Sequence, residues 1–205
     1  MSLFQKTTTH NHTLQVTSLG GTGTTMLYRF LEDYDADVPK DTHDWIPWKH
    51  QRTPPADSKV SRGFRALYLF GNPMNAVLSV FRRGYQHWHV ERMDGDVDAW
   101  DKSWDLEEFL AQGHDHFRME RHFLNWTQAD RSYPILLLNF DALWERLPEV
   151  FAFLGLPSSA MGEFPERRER HSDWLSQPTQ IRRDLKDMYG SLQERIECTS
   201  DFRII

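Results

Sequence analysis

Thr13-Leu14-Gln15-Val16-Thr17-Ser18-Leu19-Gly20-Gly21-Thr22-Gly23-Thr24-Thr25-Met26-Leu27-Tyr28-Arg29-Phe30-Leu31-Glu32-Asp33-Tyr34 is the stretch from which the rest of the chain is read. Leu14 to Leu19 alternates apolar and polar residues, the period of a strand. Gly20-Gly21-Thr22-Gly23 breaks the alternation. Met26, Leu27, Phe30, Leu31 and Tyr34 then recur at helical spacing, with Arg29, Glu32 and Asp33 off the stripe. Strand, glycine turn and helix together make an anion cradle. Glycines let backbone amides approach an anion, and a helix N-terminus adds about half a positive charge. The hydroxyls of Thr22, Thr24 and Thr25 are placed to donate to phosphoryl or sulfuryl oxygens. A Walker A loop would carry a lysine here, and this one does not.

Further strand–helix units follow. Arg65–Phe70 is a near-continuous apolar run, as in a strand buried on both faces. Gly71-Asn72-Pro73 ends it, and a helix is expected from Met74 to about Tyr85. Pro134–Phe140 is a second such run, after which Asp141 is placed to cap a helix that Gly155 ends. Gln86–Trp104 loses periodicity and reads as a long loop, a lid or acceptor loop rich in tryptophan. One helix is expected from the N-cap Asp105 to about Asp130, and a last one from about Pro178. The expected fold is three-layer α/β/α around a central parallel sheet, of the P-loop NTPase kind, with ligands beyond the carboxyl ends of the strands.

The 205 residues fit a single domain, with Met1–His12 expected to be flexible. A net charge of −6 argues against binding nucleic acid by bulk charge, so a polyanion site must be a local basic pocket. No apolar run is long enough to span a bilayer, and the first twelve residues are too polar for a secretory leader. With Cys198 as the single cysteine, the expectation is a cytoplasmic protein. His87 and His89 flank Trp88, and His114 and His116 flank Asp115. On a helix that spacing sends two ligands to different sides, so no metal site is expected.

Four blocks resemble the P-loop sulfotransferases, which use 3′-phosphoadenosine-5′-phosphosulfate (PAPS). Gly23-Thr24-Thr25 is similar to the family's 5′-phosphosulfate loop. Leu67–Ser79 resembles its strand, Arg-Asn-Pro and helical serine, which hold the 3′-phosphate. Pro134–Phe140 with Asp141-Ala142-Leu143 and Phe151–Leu156 resembles its late strand and the helix after it. Arg167-Arg168 and Asp173-Trp174 echo its C-terminal cofactor loop. Gly21 and Gly71 stand where the family has its loop lysine and 3′-phosphate arginine.

The resemblance implies a PAPS-binding set of Gly21, Thr22, Gly23, Thr24, Thr25 and Ser79. Arg82, Arg83, Arg167 and Arg168 are the candidates to replace the missing charge. His50 is the candidate general base, His43 the next, and Lys49 is placed to meet the sulfuryl group. The acceptor would be a small molecule or carbohydrate, and the product adenosine 3′,5′-bisphosphate. Two alternatives stay open: a nucleotide or nucleoside kinase, and an inactive nucleotide-binding protein of the same fold.

Overall fold

A computed structural model describes residues 12–34, 36–38, 47–93, 95–169 and 171–205. Of the segment Met1–His12 expected to be flexible, residues 1–11 lie outside them, as does His43. Among the described residues four strands form one open sheet in the order β1 (Leu14–Ser18), β2 (Arg65–Phe70), β3 (Ile135–Asn139) and β4 (Phe202–Ile204). The first three are parallel, with Val16 beside Leu67 and Leu67 beside Leu136. β4 runs antiparallel to β3, so the sheet is mixed and not wholly parallel as expected. Three residues of mixed polarity at a chain end carry no strand period, which is why the sequence does not announce it.

Side chains alternate strictly across β2 and β3. Leu67, Leu69, Leu136 and Leu138 face α1 (Thr24–Asp33) and, counting onward, the helix Leu147–Leu154. Ala66, Tyr68, Ile135 and Leu137 face α2 (Pro73–Arg82), α3 (Gln86–Arg92), α4 (Leu106–Ala111), α5 (Met119–Thr127) and the long C-terminal helix. Helices therefore cover both faces, an α/β arrangement compatible with three layers. The two remaining helices, Leu147–Leu154 and Thr179–Glu197, are α6 and α7.

Several boundaries differ from expectation for physical reasons. α2 stops at Arg82, and Gly84 adopts φ 70°, a left-handed conformation that breaks the helix. The expected loop Gln86–Trp104 begins with α3, and Trp100 in its later part is buried against Phe109, Phe117 and Trp104. The expected helix from Asp105 splits into α4 and α5 at Gly113, which also has a left-handed φ of 72°. Asp105 does cap α4, in a reciprocal pairing with Glu108. Asp141 does not cap α6, which starts only at Leu147; it lies in the short 3-10 turn Phe140–Ala142.

Among the described residues β1 has a strand, β2, on one side only. Along its outer edge the backbone is satisfied piecemeal: the Leu14 N–H donates to the Asp37 carbonyl at 3.2 Å. The Tyr28 hydroxyl donates to the Val16 carbonyl at 2.9 Å and accepts the Val16 N–H at 3.4 Å. His50 Nδ1–H donates to the Ser18 carbonyl at 3.1 Å, a direction fixed because a carbonyl only accepts. Gln15 and Thr17 are buried, not solvated; they bind the side chain and N–H of Gln51 at 2.7 and 3.1 Å. Among the described strands the chain steps in one direction, from β1 to β2 to β3, and the glycine turn follows the carboxyl end of β1, the side on which open α/β sheets bind ligands.

Tyr28→Phe removes the one hydroxyl that serves two buried backbone groups, and about 1–3 kcal/mol of stability should go with it. Urea unfolding measures the loss; a change too small to resolve would contradict this account of the edge.

Candidate functional site

The cavity of about 420 Å³ beyond β1 is built from four pieces of chain. Gly20, Gly21, Gly23, Thr24 and Thr25 form its floor; Lys49 and His50 one wall; Ser79, Val80, Arg82 and Arg83 another; Tyr85, Trp88, His89 and Arg92 the last. Its size is that of a small-ligand site.

The floor is shaped by glycine. Gly20, Gly21 and Gly23 all have left-handed φ, 91°, 65° and 75°. A Cβ on Gly21 would stand 2.9 Å from Ala76 Cα, against the backbone of α2. A lysine at that position would drive the loop off α2, so any lysine of this site must come from another segment. A Cβ on Gly23 would overlap the Phe140 ring that follows β3. Gly23 is also the N-cap of α1, with no side-chain acceptor on the first-turn amides and no acidic residue in that turn. Those amides remain as donors with the helix dipole behind them.

The threonines divide. Thr24 is a brace: its hydroxyl donates to Ser18 Oγ at 2.6 Å, and the same oxygen accepts the Gly20 N–H at 3.1 Å. Thr22 is 1% exposed and does not line the cavity. Of the three expected hydroxyls, Thr25 keeps the ligand-donor part most directly, since it lines the cavity at the first turn of α1.

Lys49 and His50 end a short 3-10 helix, Pro47–His50, packed along β1. Lys49 is 4% exposed, and its ammonium lies 5.5 Å from the centre of the Tyr28 ring. Burial pushes the His50 imidazole down to about 4. The Ser18 carbonyl opposes that shift, while Arg92, Lys49 and Arg83 add to it. His50 is therefore neutral near pH 7, with Nδ1–H on Ser18 and the lone pair on Nε2. Its ring meets His89 edge-on at 5.1 Å.

Arg83 Nε–H donates to the Ser79 carbonyl at 3.1 Å, and Arg82 Nε–H to Ser172 Oγ at 3.3 Å. Arg167 and Arg168 lie elsewhere. Arg167 pairs with Asp141 at 3.0 Å and covers the Trp144 ring, and Arg168 is an exposed residue outside the cavity. Their neighbour segment does reach α2: the Trp174 N–H donates to Asn75 Oδ1 at 2.8 Å. Asp141 draws Arg167 away from the cavity.

Tyr85, Trp88, His89 and Arg92 complete the cavity lining; the last three lie in the stretch expected as a lid or acceptor loop, but none of the four is among the individual site residues expected from the sequence. They fall at i, i+3, i+4 and i+7, on one face of α3 and its N-cap Tyr85, so the sequence signal is a polar-aromatic stripe. His89 is 4% exposed and its Nε2 has no hydrogen-bond partner. Burial first, then His50, His122, Arg83 and Arg92, hold its pKa well below the usual range. Behind it, His122 is pushed down to about 3 by burial, with Tyr68 at 3.1 Å from its Nδ1.

Four cations line the cavity, and none of its described lining residues is an aspartate or glutamate. Such a surface attracts an anion of several charges. Comparison with protein-family models, with curated proteins and with solved structures finds no match.

The histidines set an acid limit. Unfolded imidazoles take up protons near pH 6.5, whereas His50, His89 and His122 stay neutral in the fold to much lower pH. The unfolded chain then binds more protons, and stability that is full above about pH 6.5 drains away toward pH 4, by up to about 1.4 kcal/mol per pH unit per histidine. Urea midpoints at pH 7, 6 and 5 should fall steeply; equal midpoints would contradict the buried neutral state.

Proposed function

We propose that the chain is a PAPS-dependent sulfotransferase with a P-loop NTPase-like arrangement of β1, glycine loop and α1. The observation that carries the reading is the cavity itself: open α1 amides, Lys49, Arg82, Arg83 and Arg92 around a neutral histidine, with no carboxylate among the described lining residues.

PAPS carries the sulfuryl group to be transferred and, after transfer, is left as adenosine 3′,5′-bisphosphate. The first-turn amides of α1 and Thr25 hold the 5′-side oxygens. Ser79, Arg82 and Arg83, on the last turns of α2, receive the 3′-phosphate and supply the charge that Gly71 lacks. Lys49 replaces the lysine that the packing of Gly21 on α2 forbids. His50 accepts the acceptor's proton at Nε2, and the Ser18 carbonyl steadies the imidazolium through Nδ1–H. Lys49 and Arg92 meet charge developing on the transferred oxygens in a partly desolvated cavity, where preset donors are most effective. Tyr85 and Trp88, both exposed at the rim, form the apolar side against which an alcohol, phenol or sugar acceptor rests.

The kinase alternative loses ground because it needs a carboxylate near the phosphates to hold magnesium. None of the described lining residues supplies one.

Calorimetric titration tests the donor site. Adenosine 3′,5′-bisphosphate should bind with micromolar affinity and ATP with magnesium much more weakly; Lys49→Met and Arg83→Ala should each weaken the bisphosphate by about tenfold or more, the usual cost of a charge-assisted contact. Preferred binding of ATP, or of neither nucleotide, would overturn the proposal. With an acceptor in hand, His50→Ala should lower kcat by about a hundredfold or more while bisphosphate affinity stays within a factor of about two. Unchanged turnover would remove His50 from the mechanism.

A further inference from the structure

A second cluster shares no residue with the cavity lining and does not depend on the sulfotransferase reading. Asp96, His114 and His116 each bring a ligand-type atom to within 4.8 Å of the others. The spacing of the two histidines would separate them on a helix, but Gly113 has already ended α4, and residues 112–118 are turns and bends.

Asp115, between them, turns inward. Its Oδ1 accepts the Phe117 N–H at 3.0 Å and the Tyr189 hydroxyl at 2.7 Å, and its Oδ2 accepts the Met119 N–H at 2.6 Å. With Asp115 pinned to α5 and α7, the flanking imidazoles come out on one side, ring centres 3.8 Å apart. Asp96 is held beside them by its own N–H, which donates to the His116 carbonyl at 3.0 Å.

Two features mark the cluster as a ligand set. His116 is 1% exposed, walled by Trp104 at 5.1 Å and by Trp100 and Phe109 at 6.2 Å, and neither of its ring nitrogens has a hydrogen-bond partner. A buried imidazole left without any partner is costly, and a coordinate bond would remove that cost. His114 donates Nδ1–H to the Gln112 carbonyl at 3.1 Å, which leaves Nε2 with its lone pair. Histidines bound to metals are oriented by such an outer hydrogen bond.

We propose that Asp96, His114 and His116 bind one zinc-class divalent ion, with solvent in the fourth position on the exposed His114 side. Two imidazoles and a carboxylate are ligands that suit zinc in tetrahedral coordination. The ion clasps the chain leaving α3 to the chain entering α5. It thereby steadies the helix that presents Tyr85, Trp88, His89 and Arg92 to the cavity.

The test uses the full chain, stripped with a chelator and dialysed, then titrated with zinc by calorimetry and with cobalt(II) by visible absorption. One equivalent should bind with micromolar or tighter affinity, raise Tm, and give the intense cobalt bands of tetrahedral coordination. Asp96→Asn and His114→Ala, both away from the core, should each weaken binding by about tenfold or more while the circular dichroism is unchanged. His50→Ala should leave metal affinity as it was, which separates this cluster from the His50–His89 pair. Binding that is only millimolar, that survives both Asp96→Asn and His114→Ala, or that disappears in His50→Ala would overturn the assignment.

Discussion

The hydrogen bond from His50 Nδ1–H to the Ser18 carbonyl joins the fold to the proposed chemistry. β1 needs it because, among the described residues, it is an edge strand that must satisfy alternate backbone groups without a strand neighbour. Asp37 and Tyr28 answer for Leu14 and Val16, and His50 for Ser18. The same bond determines which nitrogen of His50 carries the proton and which presents a lone pair. A strand added at this edge would take the Ser18 carbonyl and leave His50 without its seat. The incomplete edge is thus part of the site.

Electrostatics then follow from packing. Gly21 lies so close to Ala76 that the loop cannot carry a lysine, and Lys49 enters from the neighbouring wall instead. Lys49, Arg82, Arg83 and Arg92 face one cavity in a chain whose overall charge is −6, so the basic character is local. Burial first, with Arg83 and Arg92 adding to it, holds His50 and His89 neutral. A site short of protons and rich in positive charge is suited to receive an anion and then a proton.

The central strands and the glycine turn were legible because their signals are local: a period of two, a break, then a period of 3.6. The apolar runs at Arg65–Phe70 and Pro134–Phe140 were equally plain. Lys49, His50, Ser79, Arg82 and Arg83 do share one cavity with the glycine loop. What the sequence concealed depends on neighbours distant in the chain. Thr24 looks like a ligand donor until Ser18 is found beside it, and Arg167 looks like a phosphate clamp until Asp141 takes it. α3 is too short to reveal a period, so Trp88, His89 and Arg92 read as part of a lid or acceptor loop and not as one helical stripe with Tyr85. His114 and His116 were judged by helical geometry in a segment that Gly113 makes irregular.

The most direct test of the central claim is nitrogen-15 NMR of the imidazoles in labelled protein, with the His50 signals identified by their loss in a His50→Asn variant. His50 at pH 7 should be the neutral Nδ1–H tautomer, with an unprotonated Nε2. That state should persist on acidification well past the usual histidine range, toward about 4. A proton on Nε2, or titration of His50 near pH 6.5, would contradict it.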